Sequence, residues 1–98
     1  MKTDKEIFYK FIKRKGYVED FGNKVMIEGY DCYLSELENE FIITEARSGL
    51  ILGIGLTKKE SIIEAIRNAN EFGTGDIIEK HIKKHGLSPI SNKVDLLA

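Results

Sequence analysis

The chain holds one cysteine, Cys32, so no disulfide can close within its 98 residues. It also has little net charge: fifteen basic residues stand against sixteen acidic ones, a balance of −1. Steering of the whole molecule toward nucleic acid or an anionic membrane is thereby excluded, and any such binding must come from a local patch. Long apolar runs are missing too. The most apolar stretch, Leu50 to Leu56, is hemmed in by Gly, Thr and Lys, far short of the roughly 18 to 20 consecutive apolar residues a bilayer requires. Met1 leads into a charged segment instead of an apolar run with a cleavage site, which together with the lone thiol points to the cytoplasm. With one proline, 42% hydrophobic and 32% charged residues, the composition is that of a folded globular chain. A chain of this length builds one core and buries about 60 to 65% of its unfolded surface.

What is present has a readable order. Thr3 and Glu6 have capping-box spacing ahead of Ile7, Phe8, Phe11 and Ile12, which predicts an N-terminal helix closed by Gly16, with Lys13, Arg14 and Lys15 in its last turn. Gly22-Asn23 between Tyr17, Val18, Phe21 and Val25, Ile27 reads as a hairpin turn. Alternation over Tyr30, Cys32 and Leu34, then the β-formers of Phe41 to Thr44 and Leu50 to Ile54 around Arg47-Ser48-Gly49, predicts an antiparallel meander. The acidic link Glu36 to Glu40 reads as a solvated connection. Thr57 and Glu60 repeat the capping-box spacing before Ile62, Ala65, Ile66, Ala69 and Phe72, the clearest helix of the chain, closed by Gly73. Gly75-Asp76 opens a shorter helix ending at Gly86. The expected architecture is a two-layer α+β domain over residues 1–86: three to four antiparallel strands, an N-terminal helix and two C-terminal helices, followed by a tail over 87–98.

Few patterns carry chemistry. Gly53 and Gly55 lead a strand into Lys58 and Lys59 at a helix start, where backbone donors and cations could hold a phosphate or carboxylate. Two lysines there oppose the helix dipole at about 0.3 to 1 kcal/mol each, so a bound anion would reverse a penalty. The plainer reading is that Glu60 and the Thr57 cap offset them and that the glycines admit close strand-to-helix packing. The spacing of a P-loop is absent. His81 and His85, four residues apart, have the spacing of two zinc ligands, but no partner ligands are at hand and Lys80, Lys83 and Lys84 flank them. They read instead as the edge of a buried stripe, and Cys32 as a packed strand residue. No acid–base pair or nucleophile emerges from the spacing, and nothing calls for a cofactor or metal, so the chain reads as a binding protein and not an enzyme. Tyr30 and Tyr33 are the aromatics best placed to anchor an interface.

The run Gly53, Gly55, Thr57, Lys58, Lys59, Glu60 resembles the last strand and second helix of double-stranded-RNA-binding domains, where Gly-x-Gly-x-Ser-Lys-Lys opens that helix. The resemblance implies a helix, strands, helix order and phosphate contacts for Lys58 and Lys59. Ser61 and Ile62 depart from it, standing where that family has Ala and a further Lys, and no Gly-Pro-x-His loop is present. The composition, rich in Ile, Lys, Asn and Glu, with Thr44 to Gly49 ahead of Gly55 to Glu60, is similar to small phage or prophage proteins of AT-rich Gram-positive bacteria. That similarity implies a regulator or inhibitor docking on a larger host protein through exposed aromatics and an open sheet edge. The other expectation is a nucleic-acid backbone binder using Lys58, Lys59 and Arg47 beside Gly55. An open edge could also pair with itself about a two-fold axis to give a homodimer.

Overall fold

Alternation of apolar and polar residues governs the first half of the chain even where helical spacing is also present. The computed structural model describes residues 5–71 and 74–89. Its elements are β1 (Glu6–Ile12), β2 (Gly16–Ile27), β3 (Tyr30–Leu37), β4 (Glu40–Glu45), β5 (Ile51–Gly55), α1 (Lys58–Glu71) and α2 (Thr74–His85). Each strand pairs antiparallel with the next, giving the sheet order β1-β2-β3-β4-β5.

The expected architecture of three to four strands behind an N-terminal helix is therefore corrected, among the described residues, to five strands, with β1 standing where the helix was expected. The apolar residues Ile7, Phe8, Phe11 and Ile12 fit a helical stripe, but they also fit a strand whose two faces are both covered, and Ile, Phe and Tyr favour the strand. Phe8 turns to one face and is fully buried, while Phe11 turns to the other, against α2. Lys13, Arg14 and Lys15 are the hairpin turn between β1 and β2, not a helix end. The hairpin expected at Gly22-Asn23 is likewise absent. β2 runs through it as one 12-residue strand, and the reversal comes at Glu28-Gly29, where both residues have positive φ (49° and 86°) as a tight primed turn demands. Gly22 serves packing, since a Cβ there would lie 2.6 Å from the Leu34 carbonyl oxygen. In the acidic link, β3 and β4 extend inward and only Glu38-Asn39 remains as the turn.

Register assigns the faces. Asn23, Leu34, Ile43 and Gly53 are cross-strand neighbours on one face, and there α1 packs Ala65 into a cluster with Ile27, Cys32, Leu34, Ile43 and Leu52. Full burial of a side chain such as Ile43 contributes about 1.5 to 3 kcal/mol. Tyr33 and Thr44 lie on the other face, where the Phe8 ring stacks on Tyr33 with centroids 5.0 Å apart. The sheet curls strongly: the Phe11 amide donates to the Gly49 carbonyl at 2.9 Å, although β1 and β5 are opposite ends of the strand order. Gly49 suits that approach, with φ of 74° and with only 2.7 Å between an added Cβ and the Phe11 nitrogen. The end of β1 is thus closed against the β4–β5 connection.

α2 sits on the same face as α1, over the β1–β2 hairpin. Ile78 is its fully buried anchor. The Tyr17 hydroxyl donates to the Gly86 carbonyl at 2.5 Å. Beyond the helix, Ser88 is buried, donating its amide to the Arg47 carbonyl and its hydroxyl to the Ala46 carbonyl at 2.7 and 2.6 Å. The chain is therefore still anchored two residues past the boundary drawn at residue 86. Residues 90–98 of the expected tail, and the helix-closing Gly73 with Phe72, lie outside the described residues.

Candidate functional site

The clearest concave feature forms where β5 passes into α1. Thr57 caps the helix as its spacing predicts, its hydroxyl accepting from the Glu60 amide at 3.0 Å. The Glu60 carboxylate reaches back to accept from the Leu56 amide at 3.1 Å, a capping box shifted by one residue. Gly53 and Gly55 let the helix lie directly on the strand. A Cβ on Gly55 would come within 2.5 Å of the Ser61 amide nitrogen, and one on Gly53 would strike the Ser61 carbonyl and Ala65 amide. The glycines are thus taken up by helix packing.

Seated this way, α1 turns Ile62, Ala65 and Ile66 inward and leaves Glu60, Ile63, Glu64 and Arg67 facing the end of β5 and the start of β4. A cleft of about 390 Å³ runs there, lined by Glu40, Ile54, Gly55, Leu56, Glu60, Ile63, Glu64 and Arg67. Its apolar members are well exposed: Ile54 at 46%, Leu56 at 69% and Ile63 at 45%. Single exposed apolar side chains are ordinary, but a contiguous set beside an open strand edge is what proteins usually avoid unless it is used. Among the described residues β5 pairs on one side only, with β4. Asn68 covers part of the other side, its amide donating to the Leu52 carbonyl at 2.6 Å. The rim holds three carboxylates, Glu40, Glu60 and Glu64, and one guanidinium, Arg67, which is bonded to Glu64 at 3.3 Å.

The residues singled out from the sequence do not meet in one place. Gly55 lines this cleft. Lys58 and Lys59 are exposed in the first turn of α1, and Lys58 lines a separate cleft of about 210 Å³ with Lys5, Asn23, Ser35, Glu36 and Phe41. Arg47 belongs to the α2 side, bonded to Glu79 at 2.9 Å and near Glu45 at 3.6 Å. Tyr33 is core, not an exposed anchor: its ring is stacked on Phe8, and burial, then the nearby Glu6 carboxylate, pushes its hydroxyl above the ordinary phenol value. Tyr30 is half-buried against the main core. Sequence reasoning missed Ile54, Leu56, Ile63, Glu64 and Arg67. A signal was available for Ile63, which is apolar yet falls outside the stripe set by Ile62, Ala65, Ile66 and Ala69.

A second cluster lies under α2. Glu45 is almost wholly buried and accepts from the Ser48 amide and hydroxyl at 2.7 and 2.6 Å. His81 and His85 pack their rings 4.6 Å apart, and both rest on Phe11 at 4.5 and 4.4 Å. The His81 Nε2 atom is buried without a hydrogen-bond partner. Burial, then the charge of His85, lowers the His81 pKa, with Lys84 adding to the effect and Glu45 opposing it. Cys32, across the ladder from Glu45, has its thiol pushed up to about 12 by burial first and then by Glu45 and Asp31. Among the described residues no group of three or more His, Cys, Asp or Glu side chains could hold a metal ion, and no helix is long and apolar enough to cross a membrane.

No protein-family model matches the chain, and no solved structure matches it. These comparisons point neither to phage proteins nor to double-stranded-RNA-binding domains. The chain is similar to a curated protein of Methanothermus fervidus described as methionine aminopeptidase, with 36% identity over 83 residues, 79% of this chain and 39% of that protein. It thus spans about two-fifths of the length of that relative.

Proposed function

We propose that this chain is a binding protein that docks on a larger protein through the cleft between β5 and α1. The observation that carries the reading is the exposure of Ile54, Leu56 and Ile63 around one cleft at the junction of β5 and α1. Burying such a patch is favourable at about 25 cal/mol per Å², and an open edge offers backbone groups for pairing. The role we propose for this docking is the regulatory or inhibitory one expected from the sequence.

The similarity to a protein described as methionine aminopeptidase favours a second reading, in which the chain takes part in cleaving an N-terminal methionine. Cleaving an amide needs an activated water or an activated nucleophile. The described residues supply little toward it: the one thiol is buried with its pKa raised, and no three metal-binding side chains converge. The similarity covers 39% of the relative, so its activity does not pass to this chain as a whole. The nucleic-acid reading is weaker, because Arg47 is engaged by two carboxylates on the α2 side and does not join Lys58 and Lys59.

The test is a photocrosslinker placed at position 63, exposed to nuclease-treated cell lysate. Capture of one discrete protein, abolished by Leu56→Asp, supports docking. Crosslinks that scatter over many proteins regardless of Leu56 sink it. Release of free methionine from a Met-initiated peptide by the purified chain would put the peptidase reading in its place.

A further inference from the structure

Resting on the docking reading, we propose that the occupant of the cleft is an extended segment of the partner, apolar at alternate positions and basic between them, added to the sheet beside β5 as a sixth strand. Three observations select this occupant over others. The first is the backbone edge. β5 has β4 on one side only among the described residues; Asn68 covers the Leu52 carbonyl and the Glu60 carboxylate covers the Leu56 amide, so Ile54 between them is where a strand can pair. A helix laid in the same place would leave those backbone groups to water, whereas a strand pairs with them and sets its alternate side chains against the wall of α1.

The second observation is the seat of α1, which argues against a second copy of this chain pairing edge to edge. Gly53 and Gly55 place the helix directly over β5, close enough that a Cβ on Gly55 would lie 2.5 Å from the Ser61 amide nitrogen. A two-fold β5 to β5 pairing would put the copy's helix one strand spacing away, about 4.8 Å. Packed helices need about 8 to 10 Å between axes. A single strand with no helix above it has no such conflict.

The third is charge. Glu64 and Arg67 pair with each other on the rim, which leaves the charges of Glu40 and Glu60 without a cation among the lining residues. Lys58 and Lys59 share the first turn of α1 with Glu60 but do not line the cleft. Lysine or arginine on the segment therefore gains complementary contacts at the rim, and acidic residues are repelled. Ile54, Leu56 and Ile63 select the apolar positions.

Three fluorescein-labelled eight-residue peptides test this by anisotropy on the full chain: alternating valine and lysine, alternating valine and glutamate, and the first peptide N-methylated at every second residue. The valine–lysine peptide should bind, the glutamate peptide should not, and N-methylation should weaken binding by about tenfold or more through lost backbone hydrogen bonds. The double variant Glu60→Lys, Glu64→Lys and the single variant Ile63→Ser should each weaken binding by about tenfold. Binding unchanged by N-methylation overturns the added strand, and binding unchanged by the Glu60→Lys, Glu64→Lys variant overturns the charge selection. If no peptide binds while the crosslinker at position 63 still captures one protein, the occupant is wrong and docking stands. If both fail, docking fails with it. Amide chemical shifts of Ile54 to Leu56 that move on binding place the peptide at the edge, and shifts confined to α2 overturn the site.

Discussion

α1 and α2 cover the same face of one curled sheet, yet they are held by different means. α1 is seated by fit: two glycines on β5 and Ala65 on the helix bring backbone against backbone, and Ile62 and Ile66 complete an apolar core. α2 has one fully buried aliphatic anchor, Ile78, and otherwise depends on hydrogen bonds, an Arg47–Glu79 pair and two histidine rings on Phe11. Fit does not change with pH or salt, whereas surface pairs contribute about 0 to 1 kcal/mol and are screened by salt, and imidazoles titrate. The contrast assigns rigidity to the β5–α1 side, which carries the cleft, and sensitivity to conditions to the β1–α2 side.

The most severe way to break the α1 seat is Gly53→Val. Its side chain would drive into the Ser61 carbonyl and Ala65 amide, backbone atoms that cannot swing aside. Destabilisation of about 3 kcal/mol, the upper part of the overpacking range, is expected as a fall in the urea midpoint. A change below 1 kcal/mol would mean that the helix is not held by close contact. On the α2 side the matching change is Glu45→Ala, which strips the acceptor from the buried Ser48 amide and hydroxyl. It should cost about 2 kcal/mol, as orphaned buried donors do. Glu45→Gln keeps an acceptor oxygen and should recover most of that loss. Equal losses for both variants would show that the negative charge, and not the acceptor, is what matters.

How far these two regions could be read in advance differs for physical reasons. The α1 side was largely legible, because Thr57 and Glu60 are a local capping signal and Ile62, Ala65, Ile66 and Ala69 are a local stripe. Only the exposure of Ile63 beside Leu56 and Ile54 needed the fold, since it depends on which side of α1 meets the sheet. The β1 side was not legible. Ile7, Phe8, Phe11 and Ile12 satisfy both periods, and the choice of strand is made by partners distant in sequence: Tyr33 on one face, and His81 and His85 on the other. Tyr33 was misread for the same cause. Its face looks solvent-bound by alternation alone and becomes core only because the sheet curls until Phe11 bonds Gly49. Lys58 and Arg47 read as one basic patch along the chain, but the β4–β5 turn carries Arg47 to α2 and its carboxylates.

A pH titration sharpens the comparison. His81 has its pKa lowered below the ordinary 6.5, chiefly by burial and then by His85. The unfolded chain therefore binds more protons at this residue once the pH drops below about 6.5, so stability falls with falling pH until the folded value is passed. Thermal midpoints should decline below pH 6.5, and in His81→Phe that part of the decline should vanish while the rings still stack on Phe11. Local readouts divide the regions further: protection of amides from exchange, relative to the intrinsic rate at each pH, should fall first in α2 as the pH falls, with α1 unaffected. Simultaneous loosening of both helices would mean that they unfold as one unit and that the division drawn here is only geometric.

The smallest effect on stability is expected at a position where binding should fall about tenfold. Ile63 is 45% exposed and lies outside the core cluster, so Ile63→Ser removes little buried surface and should shift stability by no more than about 0.5 kcal/mol. A urea midpoint that stays within that range, together with weakened binding of the valine–lysine peptide, separates the wall of a docking cleft from a residue that merely packs. A fall of 2 kcal/mol or more would instead place Ile63 in the structural core, and the cleft would lose its apolar wall as a reason for its existence.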